Sequence, residues 1–510
     1  MQKAIFIVLI FLTIVLLSVT TLGIYYNINT LKCTIYETSL NTWFFVFISL
    51  LLLIILVYLY FSFTKRWERY QYADILFLFI LGFVIRYLWI SIIPTLPFSD
   101  FEYYYVNAKV ISEKGCEYLF NNTKQIASMI SDPFVKKAYP SLIAIKDIGF
   151  EKFYLVPIFK IFHTTDIYII KLANALFSAL TVILIYICLD ITFRRNIAFI
   201  SSFILIFSID LIAMTSVIAT ETFYIFLIAL NTILFIILLK IQNKFIKTIS
   251  FLFMGILVGI VSLIRGVALF YLLAIILTLI VNSIIYKKKA FLSFILCIVI
   301  GYLTITIPLT HKDFKAGLAW ELATGFNIKS YGAWDPKFAE FGIKYAYANK
   351  EERQKLTKLG YKIAMKELEE LSSTELIYLW GKKIENFCAS KASTSIFWAT
   401  YRLKQGNHKN SINLEKLKAL MKSLQHGYNA FLLLTFLVSL IIFPIWTKYH
   451  DNIIKFNTLF LVFFYIAITF IAHIFFFESQ HRYFYPTIPF ITIFSIPLII
   501  EGRKLWIRRK

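Results

Sequence analysis

Long apolar runs recur along this chain of 510 residues and restrict its fold to one class. Runs of roughly 17 to 25 residues are long enough to cross about 30 Å of hydrocarbon as helices. Hydrophobic residues make up 59% of the chain, which is more apolar surface than a soluble fold can bury. The sequence therefore predicts an all-α polytopic membrane protein with about twelve transmembrane helices, at 4–26, 42–63, 74–96, 167–193, 197–216, 218–240, 248–264, 267–286, 290–309, 427–446, 455–475 and 484–500.

The basic residues indicate how these helices are oriented. The formal net charge of +23 could suggest nucleic-acid binding. The basic residues instead form short clusters beside apolar runs, and a count of twelve spans puts every cluster on one side. By the positive-inside rule that side is the cytoplasm, so we expect cytoplasmic termini and no nucleic-acid partner. The clusters lie at 65–69, 194–196, 240–247, 287–289 and 503–510.

The same count leaves two long segments on the extracytoplasmic side, at 97–166 and 310–426. The first should contain short interfacial helices. The second carries apolar residues at helical spacing and predicts a small, mainly helical domain. The expected division is an N-terminal transmembrane module at 1–309, this domain, and C-terminal transmembrane helices at 427–510.

Cysteine spacing indicates no metal site. Cys33, Cys116 and Cys388 fall in the expected outer segments. One disulfide among them is possible, and the sequence does not assign its partners.

Asp100 stands where the third apolar run ends, at the start of an amphipathic stretch that Gly115 should terminate. Ser99 or Asp100 could serve as the helix N-cap. Alternatively, the Asp100 carboxylate could act as a general base at the lipid–water boundary. Glu102 is placed on the polar face of the same helix, where a supporting role is expected, and Tyr104 is placed on its apolar face.

Four further charges lie close to or within the outer ends of apolar runs: Arg86, Asp210, Glu221 and Arg265. Ionisable groups at membrane depth usually pair with one another or face a polar cavity. One interpretation is a set of interhelical pairs, such as Arg265 with Asp210 or Glu221. The other is a cavity that is open to the outside and holds Arg265 near a phosphate.

The last outer loop reads "FFFESQHRYFYPTIPF" and contains Glu478, His481, Arg482 and Tyr483. An aromatic belt with a snorkelling arginine is one interpretation. In the other, Arg482 binds a phosphate, for which guanidinium geometry is well suited. His481 could coordinate a metal, although a single histidine is weak support. Lys152 is either a second phosphate contact or an interfacial lysine.

Several of these stretches resemble motifs of the GT-C superfamily of membrane glycosyltransferases. The likeness is strongest to the branch with glycosyltransferase family 39, protein O-mannosyltransferases and the lipid A aminoarabinose transferase. "SDFEYYYVNAKVISEKG" is similar to the first-loop motif, and "HRYFYPTIPF" to the final-loop motif. Between them, "ATETFYIFL", "SLIRGVALFY" and "LATGFNIKSYGAWDP" resemble segments at helix ends and at the start of the large outer loop.

The resemblance implies an inverting transfer of a sugar from a polyprenyl-phosphate donor to an extracytoplasmic acceptor. Asp100 would be the catalytic base, and Glu102 and Glu221 would support it or orient the acceptor. The residues that would bind the lipid phosphate are Arg265, Arg482, Lys152 and Tyr483.

The residues fit this chemistry because a phosphate leaves as a stable anion and needs no general acid. No metal is required where arginines neutralise the phosphate, although a divalent cation is possible. The expected partners are the lipid-linked donor, a glycan, lipid or protein acceptor, and membrane lipids. Two rivals are a polymerase or ligase that uses a polyprenyl-diphosphate oligosaccharide and a transporter or flippase for a lipid-linked solute. A transporter should show repeated halves and midplane polar sites, which this sequence lacks.

Overall fold

The computed structural model describes most of the chain. The described residues are 2–36, 71–144, 148–287, 290–309, 314–335, 340–341, 344–345, 348–390, 394–403, 411–449 and 452–507.

The described residues form a bundle of α-helices joined by short turns. The helices up to the end of the first long loop are α1 (Gln2–Tyr36), α2 (Gln71–Ile92), α3 (Asp100–Asn121), α4 (Thr123–Ala127), α5 (Pro133–Ala144) and α6 (Val156–Phe162). The next seven are α7 (Ile167–Thr192), α8 (Arg195–Ile206), α9 (Ile209–Ala213), α10 (Thr220–Lys240), α11 (Lys244–Ile264), α12 (Ala268–Ile285) and α13 (Ala290–Leu309). The last are α14 (Phe314–Phe326), α15 (Lys350–Glu370), α16 (Ser373–Ala389), α17 (Ser395–Thr400), α18 (Ser411–Tyr449), α19 (Ile453–Ile471) and α20 (Ile488–Ile507).

The hydropathy pattern confirms the prediction of a polytopic all-α membrane protein. Ten helices within the described ranges are long and apolar enough to cross a membrane. The expected span at 197–216 is present as α8 and α9, which are bent by 57° and form a broken span or a re-entrant loop. The expected span at 42–63 lies outside the described residues.

Arg86 explains how the bundle tolerates this break. The guanidinium is fully buried and donates from Nη1 to the carbonyls of Gly82, at 2.9 Å, and Ile206, at 3.4 Å. Its Nε donates to Ser178 at 2.6 Å. A carbonyl freed at a helix end inside the membrane needs a donor, and Arg86 supplies one to the last residue of α8. Arg86 therefore supports the fold, and its hydrogen bonds among the described residues run to Gly82, Ser178 and Ile206.

We call the end of the bundle that carries segments 97–166 and 310–403 the loop end. The first segment contains α3 to α6, as expected for a loop with short helices. The sequence was wrong about Gly115 as the helix stop, because the chain kinks there (φ 87°) and continues as helix to Asn121. A positive φ is accessible to glycine, so the residue redirects the helix.

The second segment is helical in its described parts, where α14 packs on α15. The expected domain boundary at 426/427 falls inside α18, a single helix of 39 residues. The segment is therefore joined to a membrane span without an intervening loop at this point.

Cys116 and Cys388 are both free thiols, and Cys388 is buried in α16. The side chain of Cys33 lies outside the described residues.

Candidate active site

Asp100 is the first residue of α3, and its carboxylate points to the last loop. The preceding residue, Ser99, has a φ of 50° and makes no side-chain capping bond. The Oδ2 atom of Asp100 accepts a hydrogen bond from Nη1 of Arg482 at 3.3 Å. The side chain of Asp100 is 50% exposed and that of Arg482 is 21% exposed. Asp100 therefore combines an arginine contact with access to solvent.

Glu221 and Arg265 form the second ion pair of the site. Arg265 follows the end of α11, and Glu221 lies in the first turn of α10. The Nη1 atom of Arg265 is 2.5 Å from Oε1 of Glu221 and 2.8 Å from Oγ1 of Thr220. Of the two partners that the sequence left open for Arg265, the structure brings Glu221 to it.

Tyr483 connects the two arginines. The guanidinium carbon of Arg265 lies 5.6 Å from the centre of the Tyr483 ring, and that of Arg482 lies 5.4 Å from it. His473 stacks on the ring with the centroids 4.4 Å apart, and the Tyr483 hydroxyl donates to Oε2 of Glu478 at 3.3 Å. Two guanidinium groups thus lie close together around one partly buried aromatic ring.

Each arginine has one N–H group that donates to none of the described residues. The Nε atoms of Arg265 and Arg482 are buried, and neither has a hydrogen-bond partner among the described residues. A buried N–H without an acceptor is costly, and a ligand with anionic oxygens would satisfy it. The site is therefore suited to a phosphate group.

A small cavity opens beside Arg265 between α10, α12 and α19. Its lining is mainly aromatic and comprises Tyr224, Arg265, Val267, Phe270, Tyr465, Thr469, His473, Tyr483 and Pro486. The arginine thus borders an apolar space.

The structure corrects the placement of Glu102. The sequence put it on a polar helix face, but the residue is buried. Its carboxylate accepts from the backbone N–H groups of Ser131 and Asp132, both at 3.0 Å, and from Oγ of Ser131 at 2.6 Å. Arg402 lies 3.6 Å away. Glu102 therefore holds the turn before α5 against α3.

Lys152 is exposed on the segment before α6. Its assignment to the lipid phosphate stays a prediction.

His481 and Asp210 belong to a buried network instead of the arginine site. The Nε2 atom of His481 is 3.1 Å from Oδ1 of Asp210, and its Nδ1 is 3.0 Å from the carbonyl of Phe387. Both ring nitrogens are therefore engaged in hydrogen bonds. In the part of the chain that the structure describes, no three His, Cys, Asp or Glu residues converge as metal ligands. The possibility of a divalent cation stays untested.

Sequence reasoning missed Tyr104, which it assigned to an apolar face. Tyr104 follows Asp100 by one helical turn, and Asp100, Arg482, Glu151 and Glu221 all act on it electrostatically. Burial, reinforced by the charge of Asp100, raises the pKa of its phenol well above the usual value. The hydroxyl therefore stays protonated at neutral pH and can donate. Spacing of four residues from Asp100 was the signal that could have identified it.

Part of the chain matches a known protein family. Residues 76–310 match the family model for dolichyl-phosphate-mannose-protein mannosyltransferases. This part, a little under half of the chain, resembles a GT-C family of membrane glycosyltransferases. The matched segment includes Asp100, Lys152, Glu221 and Arg265, whereas Arg482 and Tyr483 lie beyond it.

The chain matches no curated protein. Among solved structures it is similar to the archaeal oligosaccharyltransferase AglB from Archaeoglobus fulgidus in complex with an inhibitory peptide and a dolichol-phosphate. The identity is 11% over 87% of this chain and 51% of that chain, with a TM-score of 0.45. A structure of the Archaeoglobus fulgidus oligosaccharyltransferase tethered to an acceptor peptide gives 11% identity, coverage of 86% and 51%, and a TM-score of 0.43. The chain thus spans about half the length of these structures.

Proposed function

We propose that this protein is an inverting glycosyltransferase that moves a sugar from a polyprenyl-phosphate donor to an extracytoplasmic acceptor. The observation that carries the proposal is the meeting of Asp100, Arg482, Tyr483, Arg265 and Glu221 at one end of the bundle. The match to a mannosyltransferase family that uses dolichyl phosphate supports a lipid-linked donor.

The proposed reaction is a single displacement. The acceptor oxygen forms a bond to the anomeric carbon while the bond from that carbon to the phosphate oxygen breaks. The acceptor proton passes to Asp100, and the phosphate leaves with one additional negative charge. Arg265 and Arg482 would stabilise this developing charge, which is the larger electrostatic requirement of the step.

The carboxylate of Asp100 is exposed enough for an incoming acceptor to reach it, as its role as general base requires. Its pair with Arg482 is a single contact of 3.3 Å between partly exposed groups, and such pairs contribute little stability. A phosphate that binds Arg482 would compete for the guanidinium and release the carboxylate. Substrate binding would thereby prepare the base.

The positions of the basic residues support an extracytoplasmic site. Arg194 and Arg195 begin α8, and Lys240 and Lys244 flank the turn between α10 and α11. These helix ends lie opposite the loop end, because Glu221 and Arg265 occupy the other ends of α10 and α11. Under the positive-inside rule the loop end faces away from the cytoplasm.

Loss of either arginine should weaken donor binding. Arg265→Ala and Arg482→Ala should each reduce the affinity for radiolabelled polyprenyl phosphate in nanodiscs about 10- to 100-fold, since each removes hydrogen bonds to a charged group. Arg194→Ala, an exposed arginine at the opposite end, is the control and should bind normally. Transfer from a panel of polyprenyl-phosphate sugars then tests the activity. Equal binding by all three variants would refute the phosphate site.

Tyr104→Phe tests the phenol beside the base. Removal of the hydroxyl should lower the rate of transfer about tenfold or more, because the phenol beside Asp100 could no longer donate a hydrogen bond to a charged group of the bound substrate. Tyr105→Phe is the matched control, since that hydroxyl donates to the carbonyl of Thr165 at 3.0 Å. Initial rates with saturating donor provide the measurement, and equal rates for the two variants would remove Tyr104 from the site.

A further inference from the structure

The outer segment that contains "LATGFNIKSYGAWDP" contacts the loop that carries Arg482. Gly325, near the end of α14, packs against the backbone of Phe476, and a methyl group at Gly325 would overlap the Phe476 carbonyl oxygen. Gly332 follows in a tight turn with a φ of 66°. Its carbonyl accepts the backbone N–H of Ser479 at 2.8 Å. The segment therefore touches the last loop on both sides of Glu478.

Lys383 of α16 completes the contact. The side chain is fully buried, and its Nζ donates to the carbonyl of Gly325 at 3.0 Å. The backbone carbonyl of Lys383 accepts the hydroxyl of Ser479 at 2.7 Å. A methyl group at Gly332 would lie 2.7 Å from Cδ of Lys383, so the turn and the lysine stem fit closely. We call these four residues, Gly325, Gly332, Lys383 and Ser479, the outer clamp.

Burial lowers the pKa of Lys383 to about 7, and the charges of Glu321 and Glu478 oppose this shift. Burial of a lysine that makes one hydrogen bond to a backbone carbonyl costs free energy. An apolar side chain of similar shape would fill the same space without this cost. The free-energy cost of burying Lys383 indicates that the position of the last loop is important.

Arg482 lies three residues after the clamped Ser479. Between them, His481 is held by Asp210 and by the carbonyl of Phe387. The backbone just before Arg482 is therefore fixed at two residues. Ser479 is held by the outer clamp, and His481 is held by Asp210 and Phe387. A shift of this loop would move both Arg482 and the Tyr483 ring that the two arginines share.

We propose that the outer clamp is a positioning device through which the outer helices set the affinity of the phosphate site. This inference rests on the proposed function, because it assumes that Arg482 binds the lipid phosphate. It gives the outer segment a task in donor binding that is separate from any contact with the acceptor.

The test uses the full chain in nanodiscs and radiolabelled polyprenyl phosphate. Gly325→Ala should weaken binding about tenfold, because the new methyl displaces the loop at Phe476. Gly317→Ala is the matched control, since it lies on the same helix and a methyl group there meets nothing within 4 Å. Ser479→Ala, which removes only the bond to Lys383, should weaken binding about threefold to tenfold.

A double variant separates positioning from general packing. If the clamp acts through the loop that carries Arg482, Gly325→Ala should weaken binding much less in an Arg482→Ala background than in the unaltered chain. Additive losses would overturn the proposal. Hydrogen exchange at the Ser479 amide supplies a second measurement, and exchange should be faster in Gly325→Ala than in Gly317→Ala.

The outcomes distinguish the inference from the function on which it rests. If Arg482→Ala binds as tightly as the unaltered chain, the phosphate site is wrong and the inference falls with it. If Arg482→Ala weakens binding while Gly325→Ala and Ser479→Ala do not, only the clamp is refuted. If Gly325→Ala does not fold, Ser479→Ala with normal affinity still refutes it.

Discussion

Replacement of Asp100 by asparagine is expected to slow glycosyl transfer by about 100- to 10,000-fold, the usual contribution of a general base. The amide has nearly the same shape, and its oxygen can still accept from Arg482, so the local structure should persist. It cannot take up the acceptor proton. Affinity for polyprenyl phosphate should stay within about threefold, because the pair with Arg482 is partly exposed and weak.

The measurement is transfer from a polyprenyl-phosphate sugar at saturating donor, together with binding of the lipid phosphate. Glu113→Gln is the matched control, because it makes the same kind of change at an exposed position on the same helix. Full activity of Asp100→Asn would exclude Asp100 as the base. Loss of binding together with activity would indicate that the carboxylate positions Arg482 instead.

Asp210→Ala should cause the largest loss of stability. The buried carboxylate of Asp210 accepts from Ser395 at 2.7 Å, Gln425 at 2.6 Å and Asn429 at 3.0 Å, and it pairs with His481 at 3.1 Å. Removal of one partner of a buried polar network leaves the others unsatisfied and costs about 3–5 kcal/mol.

Thermal unfolding in detergent gives the measurement, with Asp166→Ala as the control. Asp166 is an exposed helix N-cap that accepts the N–H of Tyr168 at 2.9 Å, and its loss should cost about 1 kcal/mol. Equal changes in the two variants would contradict the role given to Asp210. Asp210→Asn should lie between them, because it keeps an acceptor oxygen and loses the charge.

The sequence could predict the helices because the hydrocarbon thickness imposes a length on every apolar run. It could also gather Asp100, Glu221, Arg265 and Arg482 at one end of the bundle, since each lies beside the end of such a run. It could not predict the individual partners. His481 and Asp210 are 271 residues apart in the chain, and only the packing of the bundle brings them together.

Glu102 and Tyr104 show why the contacts of individual side chains could not be predicted from the sequence. Glu102 looked like part of a solvated helix face, yet it accepts hydrogen bonds from a turn about thirty residues later, and helical periodicity carries no information about such a turn. Tyr104 looked like part of an apolar face, because a tyrosine has both an apolar ring and a hydroxyl. The charged groups that act on its hydroxyl include Arg482, Glu151 and Glu221 from other segments, which the local spacing does not reveal.

The unbroken course of α18 has a mechanical consequence. An α-helix of 39 residues is about 58 Å long, roughly twice the hydrocarbon thickness of a bilayer. Gln425 and Asn429 tie the middle of this rod to Asp210, close to the break between α8 and α9. The helices of the loop end that pack on this rod are therefore linked to the membrane bundle without an intervening loop. A displacement of these helices would be transmitted along the rod to its membrane span, with Asp210 near its midpoint.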